Sequence, residues 1–145
     1  PIPRSDAHIP KTYTDMQIEG AVLDLPITVP NLERGVYTYY QTTHQRPVPY
    51  GLNEPVPARL RQNRLTDFIL YVESGHADTI PPMLPTLELV GGARLLYAQG
   101  YRYIVLHERF LISTKSEIIG SVLESIIGPP RSYPSDGITV FELQF

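Results

Sequence analysis

Two rhythms of apolar and polar positions alternate along this chain. Short apolar runs bounded by glycine or proline give way to longer stretches in which apolar residues recur every three or four positions. The first run, Ala21-Val22-Leu23-Asp24-Leu25, carries one polar group, is closed by Pro26 and reads as a buried strand. Residues 101–107, with Ile104-Val105-Leu106 at their centre and Gly100 before them, read as a second. Between the two, residues 57–73 place Leu60, Leu65, Phe68, Ile69 and Val72 on one face and end at Ser74-Gly75, which predicts one continuous helix. Residues 84–99 predict another, in which Gly91-Gly92 costs about 1 kcal/mol per glycine relative to alanine. That pair reads as close helix packing, because it lacks the phosphate-loop pattern. Helix, glycine, strand is the second half of a βαβ crossover.

Thr114 and Glu117 have the spacing of a capping box. They predict a helix opening at Thr114, with Ile118, Ile119, Val122, Leu123, Ile126 and Ile127 in one stripe and Gly128-Pro129-Pro130 as the stop. Asp136-Gly137, between residues 131–133 and 138–143, signals a closing C-terminal β-hairpin. Towards the other end, residues 1–12 are proline-rich and read as an extended arm, followed by a short helical turn over 13–18. Residues 33–43 allow a helix or a strand. The alternate prolines of Arg46-Pro47-Val48-Pro49 allow only an edge strand or an extended loop. The sum is one α/β domain over residues 1–145, a mixed β-sheet with helices packed on its faces.

Composition narrows the function. A net charge of −3 with no basic stripe argues against nucleic acid, and the local group Arg59, Arg61 and Arg64 reads as a solvated helix face. With no cysteine there is no disulfide, thiolate metal site or cysteine nucleophile. No stretch approaches the roughly 20 apolar residues that span a bilayer. The chain opens Pro1-Ile2-Pro3 without methionine, so a preceding segment is expected.

No catalytic motif emerges. The histidines His8, His44, His76 and His107 form no HxH, HxxxH or HExxH pair, so neither a metal nor another cofactor is expected. Gly120-Ser121 lies inside a helical stripe and lacks the context of a nucleophile elbow. Asp24, in the middle of an apolar strand, demands partners, which Arg46 or the following loop could supply. The densest polar-aromatic cluster is Tyr37, Tyr39, Tyr40, Gln41, His44, Arg46 and Tyr50. Rings that cover apolar faces and polar tips that fix orientation suit a hydroxyl-rich ligand. Some of these tyrosines also read as core.

Several segments occur together in a recognisable order: Ala-Val-Leu-Asp-Leu-Pro at 21–26, Tyr-Tyr-Gln-Thr-Thr-His at 39–44 with Arg46-Pro47 and Gly51, and Gly-Tyr-Arg-Tyr-Ile-Val-Leu-His at 100–107. The strand Gly137-Ile138-Thr139-Val140-Phe141-Glu142-Leu143 closes the series, and Ile9-Pro10 with Tyr13 fits its lead-in. As a set, spread over almost the whole chain, they resemble the C-terminal soluble domain of bacterial multi-pass membrane proteins related to mannosyltransferase-type glycosyltransferases. Members of that family often carry glycine in the His-x-x-Pro stretch, where Gln45 and Arg46 stand here, so no tight turn is assigned to it. The resemblance implies a domain on the extracytoplasmic face of the cell membrane, tied to a membrane-embedded part of the same polypeptide. It also implies that the catalytic acid of the parent lies in that part.

The reading that results is a non-catalytic accessory domain binding a glycan or lipid-linked sugar through Tyr40, Gln41, His44 and Arg46, with Asp24 supporting the loop from below. The alternatives are a protein-docking module, which calls for a broad exposed apolar patch, and a small hydrolase. The hydrolase calls for two of Asp24, His44 and His107 within hydrogen-bond reach or across a common cleft.

Overall fold

A computed structural model of the protein describes residues 10–28, 36–37, 40–41, 44–49, 56–75 and 86–145. The apolar run after Gly20 is strand β1 (Ala21–Leu25), and residues Tyr101–His107 form β2. The two pair in parallel, Asp24 opposite Val105 and Leu25 opposite Leu106. The chain between them crosses over through α2 (Ala58–Gln62), α3 (Arg64–Ser74) and α4 (Thr86–Ala98). After α5 (Ser113–Ile127) the hairpin β3 (Arg131–Tyr133) and β4 (Ile138–Glu142) completes an open mixed sheet in the order β1-β2-β4-β3. Gly137 takes the left-handed φ of 64° that the hairpin turn requires.

Side-chain alternation along the strands divides the core in two. Leu23, Leu25, Ile104, Leu106 and Phe141 face the helical layer and pack with Leu65, Ile69, Leu96, Ile119 and Leu123. Val22, Tyr103, Val105, Ile138 and Val140 face the other way and pack with Tyr13 of α1 (Lys11–Asp15). A helix of five residues cannot stand on propensity alone. The burial of Tyr13 and Thr12 holds it, so the expected arm ends at Pro10 rather than at residue 12. Residues 16–18 leave the helix, and positions 1–9 of the expected arm lie outside the described residues.

Three expectations are corrected inside the helical layer. The single helix over 57–73 is broken at Asn63, whose φ of −76° and ψ of 129° are extended. Its Oδ1 accepts from the N–H groups of Leu65 and Thr66, a side-chain N-cap for α3, while its Nδ2 donates to the carbonyl of Gly92 at 2.8 Å. The glycine pair divides as well. A Cβ on Gly92 would come within 2.6 Å of the Leu65 nitrogen, whereas a Cβ on Gly91 would meet nothing. Only Gly92 is explained by close packing. The capping box at Thr114 does not form, because α5 already begins at Ser113 with Ile112 as its cap and no side-chain cap bond. Thr114 is then a helical residue, not a capping one.

Glu73 near the end of α3 fastens the loop that leaves β1. Its carboxylate accepts from the backbone N–H of Ile27 at 2.7 Å and from the N–H and hydroxyl of Thr28 at 2.9 and 2.8 Å. Burial pushes the Glu73 carboxyl above its usual value, against the opposing pull of these donors and of Lys115. The folded protein therefore binds this proton more tightly than the unfolded chain. The corresponding stability is present below the ordinary value of 4.5 and is lost as pH rises through the raised folded value. In urea melts over that range, the stability of the wild type relative to Glu73→Gln is expected to fall as pH rises. A pH-independent difference would contradict this account.

Candidate functional site

The second face of the sheet assembles a buried polar cluster. Asp24 projects from β1 on the same side as Val22, and His107 projects from the end of β2 on the same side as Val105. Parallel pairing brings the two together: His107 Nε2 lies 2.8 Å from Asp24 Oδ1. Tyr13 closes the group from α1, its hydroxyl donating to Asp24 Oδ1 at 2.5 Å and lying 3.0 Å from His107 Nε2. Relative exposures are 0% for Asp24, 4% for His107 and 3% for Tyr13. With Asp24 ionised, the carboxylate is the acceptor of both contacts, which places the imidazole proton on Nε2. Desolvation, followed by the charge of Asp24, pushes the Tyr13 phenol well above its ordinary value, so it remains a donor.

Rings enclose this cluster. Tyr37 is fully buried 5.0 Å from the His107 ring, and its hydroxyl donates to the carbonyl of Pro26 at 3.1 Å. Phe110 stacks on His107 from beyond the strand end at 5.5 Å, and Tyr40 lies 6.3 Å away. Val36, Tyr37, Tyr40 and Gln41 are helical, which resolves for these positions the choice between helix and strand, and His44 is helical too. Tyr39 and Tyr50 lie outside the described residues.

The structure distributes the expected contact set among different roles. His44 stacks on Tyr13 with centroids 4.8 Å apart. Its Nδ1 accepts the backbone N–H of Arg46 at 2.9 Å, so the proton of the neutral ring sits on Nε2, which is buried and has no hydrogen-bond partner among the described residues. Burial lowers the His44 pKa, and the Arg46 charge lowers it further against the pull of Asp24, which favours that neutral form. Gln41 Nε2 donates to the carbonyl of Arg46 at 3.0 Å. Arg46, one of the two partners weighed for Asp24, does not pair with it: its guanidinium donates to the carbonyls of Met16, Ile18 and Gly20 and lies over the Tyr103 ring at 5.1 Å. Gln45 takes a positive φ of 52°, uncommon for a residue other than glycine. Two residues on, Pro47 reaches the outer edge of β1, where its carbonyl accepts the N–H of Val22 at 3.0 Å.

Two residues that complete the site were not singled out for it in the sequence, Tyr13 and Phe110. Neither belongs to a motif, and a contact across 94 positions, as between Tyr13 and His107, leaves no local signal. Among the described residues no group of three or more His, Asp or Glu side chains converges as a metal site, and no helix is long and apolar enough to cross a membrane. On α4 two leucines are exposed, Leu87 at 85% and Leu95 at 48%. These positions are eight apart on one helical face with Gly91 between them.

The chain is thus a mixed α/β domain organised on one face around a dry Tyr–Asp–His cluster. Comparison with protein-family models, curated proteins and solved structures finds no match in any of the three.

Proposed function

We propose that this is a non-catalytic accessory domain of a membrane-bound, glycosyltransferase-like protein, held on the extracytoplasmic face, where it engages a glycan or lipid-linked sugar. The observation that carries the reading is the burial of the Asp24–His107 pair beneath Tyr13. A general base must reach a substrate proton directly or through one water, and a pair enclosed by Tyr13, Tyr37 and Phe110 acts instead as an internal post. The groups left to meet a ligand sit above it. Tyr40 and His44 are half-buried, and a ligand would meet them by the exposed parts of their rings, since His44 Nε2 is itself buried. Gln41 and Arg46 shape this region through the bonds described above. The segment resemblance supplies the membrane setting and the sugar class.

The test is calorimetric titration of the domain with mannose oligosaccharides and a short-chain mannosyl phospholipid. His44→Phe retains the ring stacked on Tyr13 and removes both nitrogens. It is expected to weaken binding at least about tenfold, while loss of the Arg46 bond costs about 1 kcal/mol of stability. Unchanged affinity in the variant, or no binding by the wild type, would defeat the reading.

One observation favours a second reading, acid–base catalysis: Asp24 and His107 meet the hydrogen-bond distance that a hydrolase needs. Turnover of nitrophenyl esters or glycosides by the wild type, abolished in a folded Asp24→Asn variant, would establish it in place of the first.

A further inference from the structure

A cleft of about 390 Å³ opens between α1 and the β4–β3 edge of the sheet, beside the region of His44 but lined by none of the residues assigned above to ligand contact. Its volume falls at the lower end of the roughly 300–1,000 Å³ usual for small-molecule sites, room for one or two small rings. Tyr103 and Tyr133 give it aromatic walls, and Asp15, Glu142 and Arg131 bring polar groups from α1, β4 and β3.

These groups hold one another in place. The Tyr133 hydroxyl donates to Asp15 Oδ2 at 3.1 Å, and that of Tyr103 accepts from the Ile18 N–H at 3.0 Å. The exposed Arg131 guanidinium lies near the Tyr133 hydroxyl and within reach of the charges of Asp15 and Glu142. A second, independent feature belongs to the same cleft. Thr12 lines it, is 1% exposed, and its hydroxyl has no hydrogen-bond partner among the described residues. A buried hydroxyl left without a partner is uncommon in folded proteins, where such groups are satisfied by protein or by bound molecules.

The geometry points to this cleft as a binding site for a neutral, hydroxyl-rich ring of the size of a monosaccharide unit. Two carboxylates opposite one guanidinium leave a net charge that repels phosphate and other anions. Acceptors and donors on facing walls match hydroxyls, each of which both donates and accepts. The aromatic walls cover the apolar face of a ring. The proposal extends the glycan-binding reading to a second place on the domain, and it rests on different residues.

The experiment is an amide chemical-shift titration of the isotopically labelled domain with D-mannose, D-glucose and N-acetylglucosamine, with inorganic phosphate as the anionic control. At least one sugar is expected to move the amides of Thr12, Ile18, Tyr103 and Glu142 in a saturable way, and phosphate to leave them in place. Arg131→Ala and Glu142→Gln, both changes on the β4–β3 side of the sheet, are each expected to weaken that sugar about tenfold or more, while Leu87→Ser, at an exposed position of α4 outside the cleft, leaves it unchanged. Saturable shifts confined to Tyr40 and His44 would overturn the cleft while sustaining the reading above. Shifts at the cleft that survive both Arg131→Ala and Glu142→Gln, or that appear with phosphate alone, would overturn the cleft's assigned chemistry. Absence of shifts with every sugar would overturn the proposal outright.

Discussion

Replacing Asp24 by alanine is expected to destabilise the domain by about 2–5 kcal/mol, the cost of leaving two buried hydrogen-bond donors without the acceptor they share. Asp24 Oδ1 is the shared acceptor for Tyr13 and His107, both almost fully buried. Without it, the phenol and the imidazole lose the group that satisfies them in a place that water does not reach. The damage extends beyond the pair, because Tyr13 is the main apolar anchor of α1 and stacks on His44. The check is urea unfolding at neutral pH, with Asp24→Asn and Tyr13→Phe beside it. A double-mutant cycle between Asp24→Asn and Tyr13→Phe should show a coupling of about 1–3 kcal/mol. A loss under about 1 kcal/mol in Asp24→Ala would show that the cluster is wetter and less essential than its exposures indicate.

The adjacent glycines of α4 are expected to respond with opposite signs. Gly92→Ala would set a methyl group within 2.6 Å of the Leu65 nitrogen and 2.7 Å of Asn63 Oδ1, the oxygen that caps α3. Overpacking of this kind costs about 1–3 kcal/mol, and displacement of the cap adds about 1 kcal/mol. Gly91→Ala meets no neighbour and removes a poor helix former, so it is expected to stabilise by about 1 kcal/mol. Thermal unfolding of the two variants measures the contrast directly. Equal effects would mean that α3 and α4 do not approach as closely as described.

Much of this architecture was legible from periodicity. A five-residue apolar run between Gly20 and Pro26 has few alternatives to a buried strand, and the strand occupies those residues. The helix–glycine–strand order around Gly100 and the Asp136-Gly137 turn likewise specify a parallel crossover and a hairpin, because each depends on chain-local sterics and a face that must be buried. Local signals misled where two of them competed. The apolar face of residues 57–73 continues through Asn63, but the extended backbone of an N-cap ends the helix there, supported by a contact from Gly92 that is 29 positions away. At Thr114 the capping pattern is real as spacing, yet the helix begins at Ser113 and makes it redundant.

The candidate site divides along the same line. That Asp24 must have partners followed from its place in an apolar strand, since an unsatisfied carboxylate is too costly to bury. Which partners it has did not follow. Arg46 lies closer in sequence than His107 and carries the opposite charge, yet it serves the carbonyls of Met16, Ile18 and Gly20. The strand order places the end of β2 beside β1, and α1 then brings Tyr13 over the pair. Sequence by itself determined the elements, the alternation that turns Asp24 inward, and the residue types available for a site. Tertiary structure alone decided their company, because hydrogen-bond partners are selected by distance in space, and spatial neighbours 83 positions apart, as Asp24 and His107 are, share no local pattern.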